Sequence, residues 1–286
     1  MRVSIRRPAP ALQPYVTFFY LVEAEGPLSD FLYPEWGNIR FALDGVWDVE
    51  MAGAEGSTPQ QGGLFGPTDR PGRISTAGGS CVGFGMTPIG WHRLVGGDAS
   101  LLANRSAPLE HRLGMDGEAL HRALLAERDE GARVGLMERM IAVRLATRPP
   151  VAEQVLRVDR ALRTRPADVL AFAACAEMAE RSLSRLCLKT FGFAPKRLMR
   201  LQRFLDTLGH VRSAIREPVR ESIEGYFDQA HFYRDFREFM GMTPRAYFGA
   251  PRPLMAAAAE AQRRAGVTLS FRLPPPPGEP IAPAEG

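Results

Sequence analysis

The sequence has little cysteine and no long apolar run, and both shortages narrow its class. Its three cysteines, Cys81, Cys175 and Cys187, are odd in number and widely spread, so they fit neither a disulfide framework nor a zinc motif. No stretch approaches the roughly 18 consecutive apolar residues of a membrane span. No apolar signal region follows the basic residues 1–8. We therefore expect a soluble, cytoplasmic protein without a membrane partner.

Groups that commonly carry catalysis are also scarce. The five histidines are scattered and form no His-x-His pair, although a metal-bearing barrel needs clustered histidines with a carboxylate. The carboxylates show no pairing that suggests acid–base chemistry. The glycine clusters lack the strand-to-helix context of a phosphate loop. We expect no metal, no cofactor and no enzymatic activity.

The sequence does contain enough apolar residues, 45%, to bury cores in a chain of 286 residues. Its basic excess lies in one block. Residues 151–250 carry 17 Lys and Arg against 12 Asp and Glu, whereas residues 1–150 carry 15 against 17. Such a block attracts phosphates, although an arginine-rich composition alone does not establish binding.

The pattern of residues changes along the chain from strands to helices. Through residue 110, short β-branched and aromatic runs alternate with Gly and Pro turns, which predicts a small barrel or sandwich. Within it, Asp44-Gly45 lies between two alternating runs and predicts a hairpin over 39–51. Helical spacing begins near Met115, and Pro149-Pro150 ends it. We expect domains at 1–114 (β-rich, sensing or dimerisation), 115–150 (helical linker), 151–250 (helical) and 251–286 (short helix and disordered Pro-rich tail).

The helical block contains an internal repeat with an offset of 49 residues. Residues 183–195 align with 232–244, which pairs Arg185 with Arg234 and Gly192 with Gly241. Each copy is an amphipathic helix that ends at Gly and is followed by Pro, the usual chemistry of a helix stop. Each copy therefore predicts a recognition helix, at 180–190 and at 228–240.

A shorter helix and a turn before each copy complete two helix-turn-helix units. The supporting helices are predicted at 168–175 and 219–224, with Gly225 as the second turn and Asp228 as a helix N-cap. A connecting helix over 198–215 joins the units. Such a connector suits two recognition helices about one DNA turn, roughly 34 Å, apart.

At these residues the sequence resembles the AraC/XylS family of transcription regulators. The similarity to the second recognition helix of that family and its C-terminal signature, which we call the second reader, lies in residues 225–232, Arg234, Phe236, 241–244 and Tyr247. The similarity to the first recognition helix, the first reader, lies in Leu183, Arg185, 191–192 and Pro195. The chain departs from the family pattern at Ala179, Pro218 and Glu221. Ala179 cannot cap a helix with its side chain, and the other two shorten or alter the second supporting helix.

The resemblance implies a fold and a set of partners. We expect an α+β protein with an N-terminal β-rich, cupin-like barrel or sandwich and a C-terminal all-α double helix-turn-helix. The implied partners are double-stranded DNA, a small-molecule effector, RNA polymerase and a second copy of the chain. Four residues either line an effector pocket or form ordinary core: Trp36, Phe41, Trp47 and Phe84.

Matching to the family's reader helices gives the candidate DNA-binding residues. They are Arg181, Ser184, Arg185, Gln229, His231, Tyr233 and Arg234. Arg pairs bidentately with guanine and Gln with adenine, whereas contacts to phosphates position a protein without reading sequence. Lys196 and Arg197 are expected at phosphates or in solvent.

The sequence leaves one alternative of another class. The β-rich part would then be a ligand-binding or enzymatic domain, and the helices a degenerate interaction module that no longer binds DNA. The departures at Ala179, Pro218 and Glu221 favour that alternative. Salt-dependent binding of duplex DNA distinguishes the two hypotheses.

Overall fold

The computed structural model describes residues 1–51, 58–59, 62–109, 115–213, 226 and 229–267. The strands lie in the first part of the chain: β1 (Arg2–Arg6), β2 (Val16–Ala24), β3 (Leu28–Leu32), β4 (Asn38–Asp44), β5 (Trp47–Met51), β6 (Thr58–Pro59), β7 (Gly62–Phe65), β8 (Gly72–Thr76), β9 (Gly79–Met86) and β10 (Ser106–Pro108). Short 3-10 turns lie at Pro10–Leu12 and Ala99–Leu102.

The helices follow: α1 (Pro88–Leu94), α2 (Met115–Ala126), α3 (Glu130–Thr147), α4 (Glu153–Arg163), α5 (Val169–Cys175), α6 (Glu180–Phe191), α7 (Pro195–Ser213), α8 (Gln229–Met240), α9 (Pro244–Gly249) and α10 (Pro253–Ala265). This order confirms the expected α+β class, with antiparallel sheets first and helix-turn-helix elements after them. The division at residues 114, 150 and 250 stays a prediction.

Two antiparallel sheets form the β-rich part. One has the order β1-β2-β9-β4-β7-β10 and the other β3-β8-β5-β6. Because side chains alternate across a strand, each sheet has an inner and an outer face. The inner faces share one apolar core, in which Tyr20 and Val22 meet Trp47 and Val49. The outer face of the larger sheet packs on α1, α2 and α3.

The predicted hairpin over 39–51 is wrong. β4 pairs with β7 and β9, whereas β5 pairs with β6 and β8 in the other sheet. Gly45, at φ +70°, carries the chain across from one sheet to the other, and a side chain there would collide with the carbonyl of Gly78. Crossing lets β4 and β5 bury apolar side chains on opposite walls of the same core, which a two-stranded hairpin could not do.

The C-terminal helices build two apolar clusters, one for each half of the block. In the first, α4, α5 and α6 pack around Leu162, Phe172 and Leu183. In the second, α7 and α8 pack around Phe204 and Phe236. Helix α10 then returns to the β-rich part, where Leu254 joins the core between the sheets. None of the helices in the described ranges is long and apolar enough to cross a membrane.

Candidate nucleic-acid interface

The first helix-turn-helix unit consists of α5 and α6, as the sequence predicts. Asp168 caps α5, because its Oδ1 accepts a hydrogen bond from the Ala171 N–H at 2.8 Å. Glu177 takes a positive φ of 53° in the tight turn before α6. Ala179 precedes α6 without a side-chain cap, and α6 ends at Gly192 with φ +84°. The departure at Ala179 therefore leaves backbone donors at the start of this helix without a side-chain acceptor.

Helix α6 has one buried and one exposed face. Leu183, Cys187 and Phe191 are buried in the first helical cluster. Arg181 and Arg185 are exposed on the other side, and Ser184 is partly buried between the faces. The structure thus brings the three candidates of the first unit onto one accessible surface.

Helix α8 repeats this arrangement in the second unit. Phe232, Phe236 and Phe239 are buried, and Gly241 follows the helix with φ +67°. Three candidates are exposed: Gln229, Tyr233 and Arg234. The predicted supporting helix 219–224, the turn at Gly225 and the cap at Asp228 lie outside the described residues, as do Pro218 and Glu221.

His231 differs from the other three candidates on α8 because it is partly buried. Its ring meets the edge of Tyr226 with centroids 5.1 Å apart. His231 and Arg234 also line an open cleft of about 790 Å³ between α8, α7 and the start of α5. Lys196 projects into the same cleft and is exposed. The cleft therefore has a basic rim at the junction of the two units.

An ion-pair network between α7 and α8 was not foreseen from the sequence. Arg200 binds Asp235, which is 1% exposed, at 2.6 Å and also pairs with Glu238. Tyr226 donates its hydroxyl to Asp235 at 2.9 Å. Burial raises the pKa of Tyr226, and the charge of Asp235 and the hydrogen bond to it add to the rise. The sequence signal is a spacing of three residues, which places side chains on one face of a helix. It separates Arg197, Arg200 and Arg203 on α7 and also the acids Asp235 and Glu238 on α8.

Arg197 belongs to this network, which corrects its expected place at phosphates or in solvent. It binds Asp69 of the β-rich part at 2.5 Å, pairs with Glu238 and lies over the ring of Phe239 at 4.4 Å. A guanidinium held by two carboxylates and a ring is not free for a phosphate. Arg197 instead connects the second reader with the β-rich part through these contacts.

Two loops of the β-rich part pack into the helical units. Tyr33 lies in the core of the second unit, and Trp36 lies in the core of the first. In the other loop, Pro67 faces Gly192 and Pro71 faces Gly241, the stop residues of the two readers. Residues 33–37 and 66–71 therefore touch both units, and we call them the clamp loops.

The clamp loops are tied to each other. The Glu35 N–H donates to the Thr68 hydroxyl, and the Thr68 N–H donates to the Glu35 carbonyl, both at 2.7 Å. A displacement of either loop is therefore passed to the other. No sequence pattern indicates this coupling, because loop contacts lack the periodicity that marks a helix or strand.

The four residues considered for an effector pocket do not come together. Trp47 lies between the sheets, Phe41 and Phe84 lie on the outer face of the larger sheet, and Trp36 lies in the first helical unit. A different cavity, of about 90 Å³, lies between the larger sheet and α10. We call it the sheet cavity.

One end of the sheet cavity is polar. Arg40 donates its Nε–H to the Tyr20 hydroxyl at 3.2 Å, and Tyr20 donates to the Asn38 side-chain oxygen at 2.7 Å. Burial raises the pKa of Glu35 to about 7, while Arg40 and Asn38 oppose that rise. Burial likewise raises the pKa of the neighbouring Cys81 thiol to about 11. Within the described ranges, no three His, Cys, Asp or Glu side chains are grouped to hold a metal.

Residues 172–250 match the family model described as a helix-turn-helix domain. The matched stretch begins within α5 and ends just after α9, so it includes both readers. It is an AraC-type domain, and the resemblance stated from the sequence is confirmed. The match supports a DNA-binding transcription regulator.

Three solved structures are similar to this chain at low identity. ToxT from Vibrio cholerae aligns with 81% of this chain and 98% of its own, at 11% identity and a TM-score of 0.45. A ToxT structure with a bound unsaturated fatty acid gives 79% and 94%, 9% identity and 0.42. The AraC-like transcriptional activator CuxR gives 71% and 86%, 14% identity and 0.30. A search of curated proteins finds no significant match.

Proposed function

We propose that this protein is a sequence-specific transcription regulator that reads two successive major grooves with α6 and α8 and responds to a small effector in its β-rich part. The observation that carries the proposal is the pair of exposed, arginine-bearing faces, on Arg181 and Arg185 of α6 and Arg234 of α8. Arginine at such positions pairs with guanine edges and with phosphates.

The connecting helix supports the spacing of the two readers. α7 spans Pro195–Ser213, 19 residues. At about 1.5 Å per residue it is roughly 28 Å long. Helix α6 ends just before α7, and α8 packs along α7 through the Arg200–Asp235 ion pair. We expect two recognition helices held on one connecting helix to enter successive major grooves on one face of a duplex, which lie roughly 34 Å apart.

The contacts of the sheet cavity support modulation by an effector. Glu35 and Tyr33 line the cavity, and Tyr33 also packs in the core of the second unit. Trp36, one residue after Glu35, packs in the core of the first unit. A ligand that moved this loop would change how both readers are held. It would alter DNA affinity only if it bound the two arrangements differently.

Selection of sites from random duplex DNA tests the proposal. We expect a motif with two blocks about one helical turn apart, and an affinity that falls steeply as salt is raised. Arg185→Ala and Arg234→Ala should each cost about 1–3 kcal/mol of specific binding, because a bidentate contact to one base is lost.

The matched control is Arg73→Ala, since Arg73 is exposed on β8 and donates to Ser29 within the β-rich part. It should leave operator affinity unchanged. Folded protein that enriches no motif, with or without ligands, would favour the degenerate interaction module instead. RNA polymerase contact and dimer formation stay predictions.

A further inference from the structure

The sheet cavity has apolar walls and one charged end. Alternate residues of β2 face the same side of the sheet, so Phe18, Tyr20 and Val22 share a wall. Leu254 and Ala258 of α10 form the opposite wall. The charged side chains that line it are Arg40 and Glu35, and Gln262 of α10 adds a neutral polar group. A ligand matched to this shape is amphipathic, with an apolar body and one polar head.

Arg40 is a buried cation whose hydrogen bonds are incomplete. Its side chain lies between aromatic rings, with the guanidinium carbon 5.0 Å from the Phe65 centroid and 5.9 Å from that of Tyr20. Arg40 is 8% exposed, and its Nη1 has no hydrogen-bond partner among the described residues. Burying a charge without full pairing is costly, and a guanidinium fork fits a carboxylate.

We propose that the sheet cavity binds a small aliphatic monocarboxylate, with its carboxylate on Arg40 and its alkyl end between the larger sheet and α10. The cavity volume is only about 90 Å³, so we expect a short-chain acid in preference to a long one. The site would be the effector site of the proposed function, but binding itself requires no DNA.

Glu35 gives the site a pH dependence of definite sign. Its carboxylate acts on Arg40 through its charge and would repel a bound anion, and its pKa lies near 7. The other groups that face Arg40 are the Tyr20 hydroxyl and the Cys81 thiol, both neutral at pH 7 because burial raises their pKa values, and Asn38 faces Glu35. The groups of α10 at the cavity, such as Gln262, do not titrate.

Anion binding is therefore coupled to proton uptake by Glu35. Above pH 7 Glu35 must take up a proton to relieve the repulsion between its carboxylate and the bound anion, so affinity should fall by up to about tenfold per pH unit. Between pH 6 and 7 affinity should fall only about twofold, because about half of the Glu35 carboxyls are still protonated at pH 7. Small aliphatic acids stay ionised throughout this range.

Calorimetric titration of the full chain with acetate, propionate, butyrate and hexanoate at pH 6 and pH 8 tests the site. We expect saturable binding of the shorter acids, weaker binding of hexanoate, and tighter binding at pH 6. Propionamide, of the same shape without the charge, should not bind. Equal binding of propionamide and propionate, or no saturable binding of any acid, would overturn the proposal.

Variants assign the binding to named residues. Arg40→Met and Arg40→Lys should weaken propionate binding at least tenfold, the first by removing the charge and the second by removing the fork. Arg73→Met, on the exposed side of β8, should leave it unchanged. Glu35→Gln should make binding at pH 8 as tight as at pH 6. Unchanged affinity in both Arg40 variants would refute the assignment.

Folding and DNA binding are read separately. Without acid, Arg40→Met should melt at or above the temperature of the unaltered protein, since it removes an incompletely paired buried charge; with propionate, only the unaltered protein should gain stability. Operator affinity is then measured with and without propionate. An altered affinity supports the effector role, and an unaltered one removes that role while leaving the site. Failure of DNA binding alone contradicts only the proposed function.

Discussion

At the residue scale, Glu35 shows how a single buried carboxyl sets stability against pH. Its pKa of about 7 in the folded protein lies above its ordinary value of 4.5. Folding therefore favours the protonated form. The stability that this preference contributes is fully present below pH 4.5 and is lost as the pH rises through 7, at about 1.4 kcal/mol per pH unit.

We therefore predict that Glu35→Gln stabilises the protein at pH 8 by a few kcal/mol, at about 1.4 kcal/mol per unit of pKa shift, and has little effect at pH 4.5. Glutamine keeps a hydrogen-bonding group for Asn38 without the charge. Urea unfolding at the two pH values measures the difference. Glu50→Gln, at an exposed residue of β5, is the matched control and should change stability equally at both. A Glu35 effect that did not depend on pH would contradict this account.

The reading faces and the sheet cavity differ in how far single residues were predictable. The helical repeat of about 3.6 residues per turn correctly placed Arg185 and Arg234 on exposed faces, because an amphipathic helix has one face toward solvent. Alternation in β4 marked Arg40 only as a polar residue. Both faces of β4 are buried, so alternation could not show that Arg40 points inward. What these residues bind stays a prediction.

At the element scale, the stop of α6 is also a contact between parts of the molecule. Gly192 and Gly241 both have positive φ, a conformation in which alanine is strained by about 1 kcal/mol. A methyl group on Gly192 would lie 2.6 Å from Cγ of Pro67, whereas one on Gly241 would lie 3.7 Å from Cγ of Pro71. The first separation is a clash and the second is an ordinary contact.

Gly192→Ala should therefore destabilise the protein more than Gly241→Ala, by about 1–3 kcal/mol beyond the shared strain. Pro67→Ala removes the colliding Cγ, so in that background the two glycine variants should become similar. Urea unfolding of the three single and two double variants gives the coupling energy. Absence of coupling between positions 192 and 67 would show that the clamp loop does not press on this stop.

Element boundaries were well predicted where chemistry marks them, and strand pairing was not. The supporting helix predicted at 168–175 and the stop predicted at Gly192 agree with the ends of α5 and α6, where Asp168 caps the one and Gly192 ends the other. The sequence pattern correctly predicted β4 and β5 as strands but wrongly paired them in a hairpin. The partner of a strand depends on a core assembled from both sheets. Local patterns carry the period of a strand but not the identity of its neighbour.

At the scale of the whole molecule, the β-rich part and the helical units share their cores. Tyr33 and Trp36 lie in clusters of the second and first unit, and Leu254 of α10 lies in the core between the sheets. Each part of the molecule thus contributes side chains to the core of the other. No sequence pattern announced this, since a lone aromatic residue in a loop has no period. Parts that interlock in this way should unfold together.

We predict one calorimetric unfolding transition for the unaltered protein, with equal calorimetric and van't Hoff enthalpies, and two transitions for the double variant Tyr33→Ala and Trp36→Ala. Each truncation should cost about 3–5 kcal/mol at the shared cores, enough to release the helical units from the sheets.

The control is Trp36→Phe. The indole Nε1 has no hydrogen-bond partner among the described residues, so phenylalanine keeps the contact with Phe191 and breaks no bond. A single transition in the truncated protein would mean that the clamp loops only touch the units, and an effector in the sheet cavity would then lack this route to the DNA-reading helices.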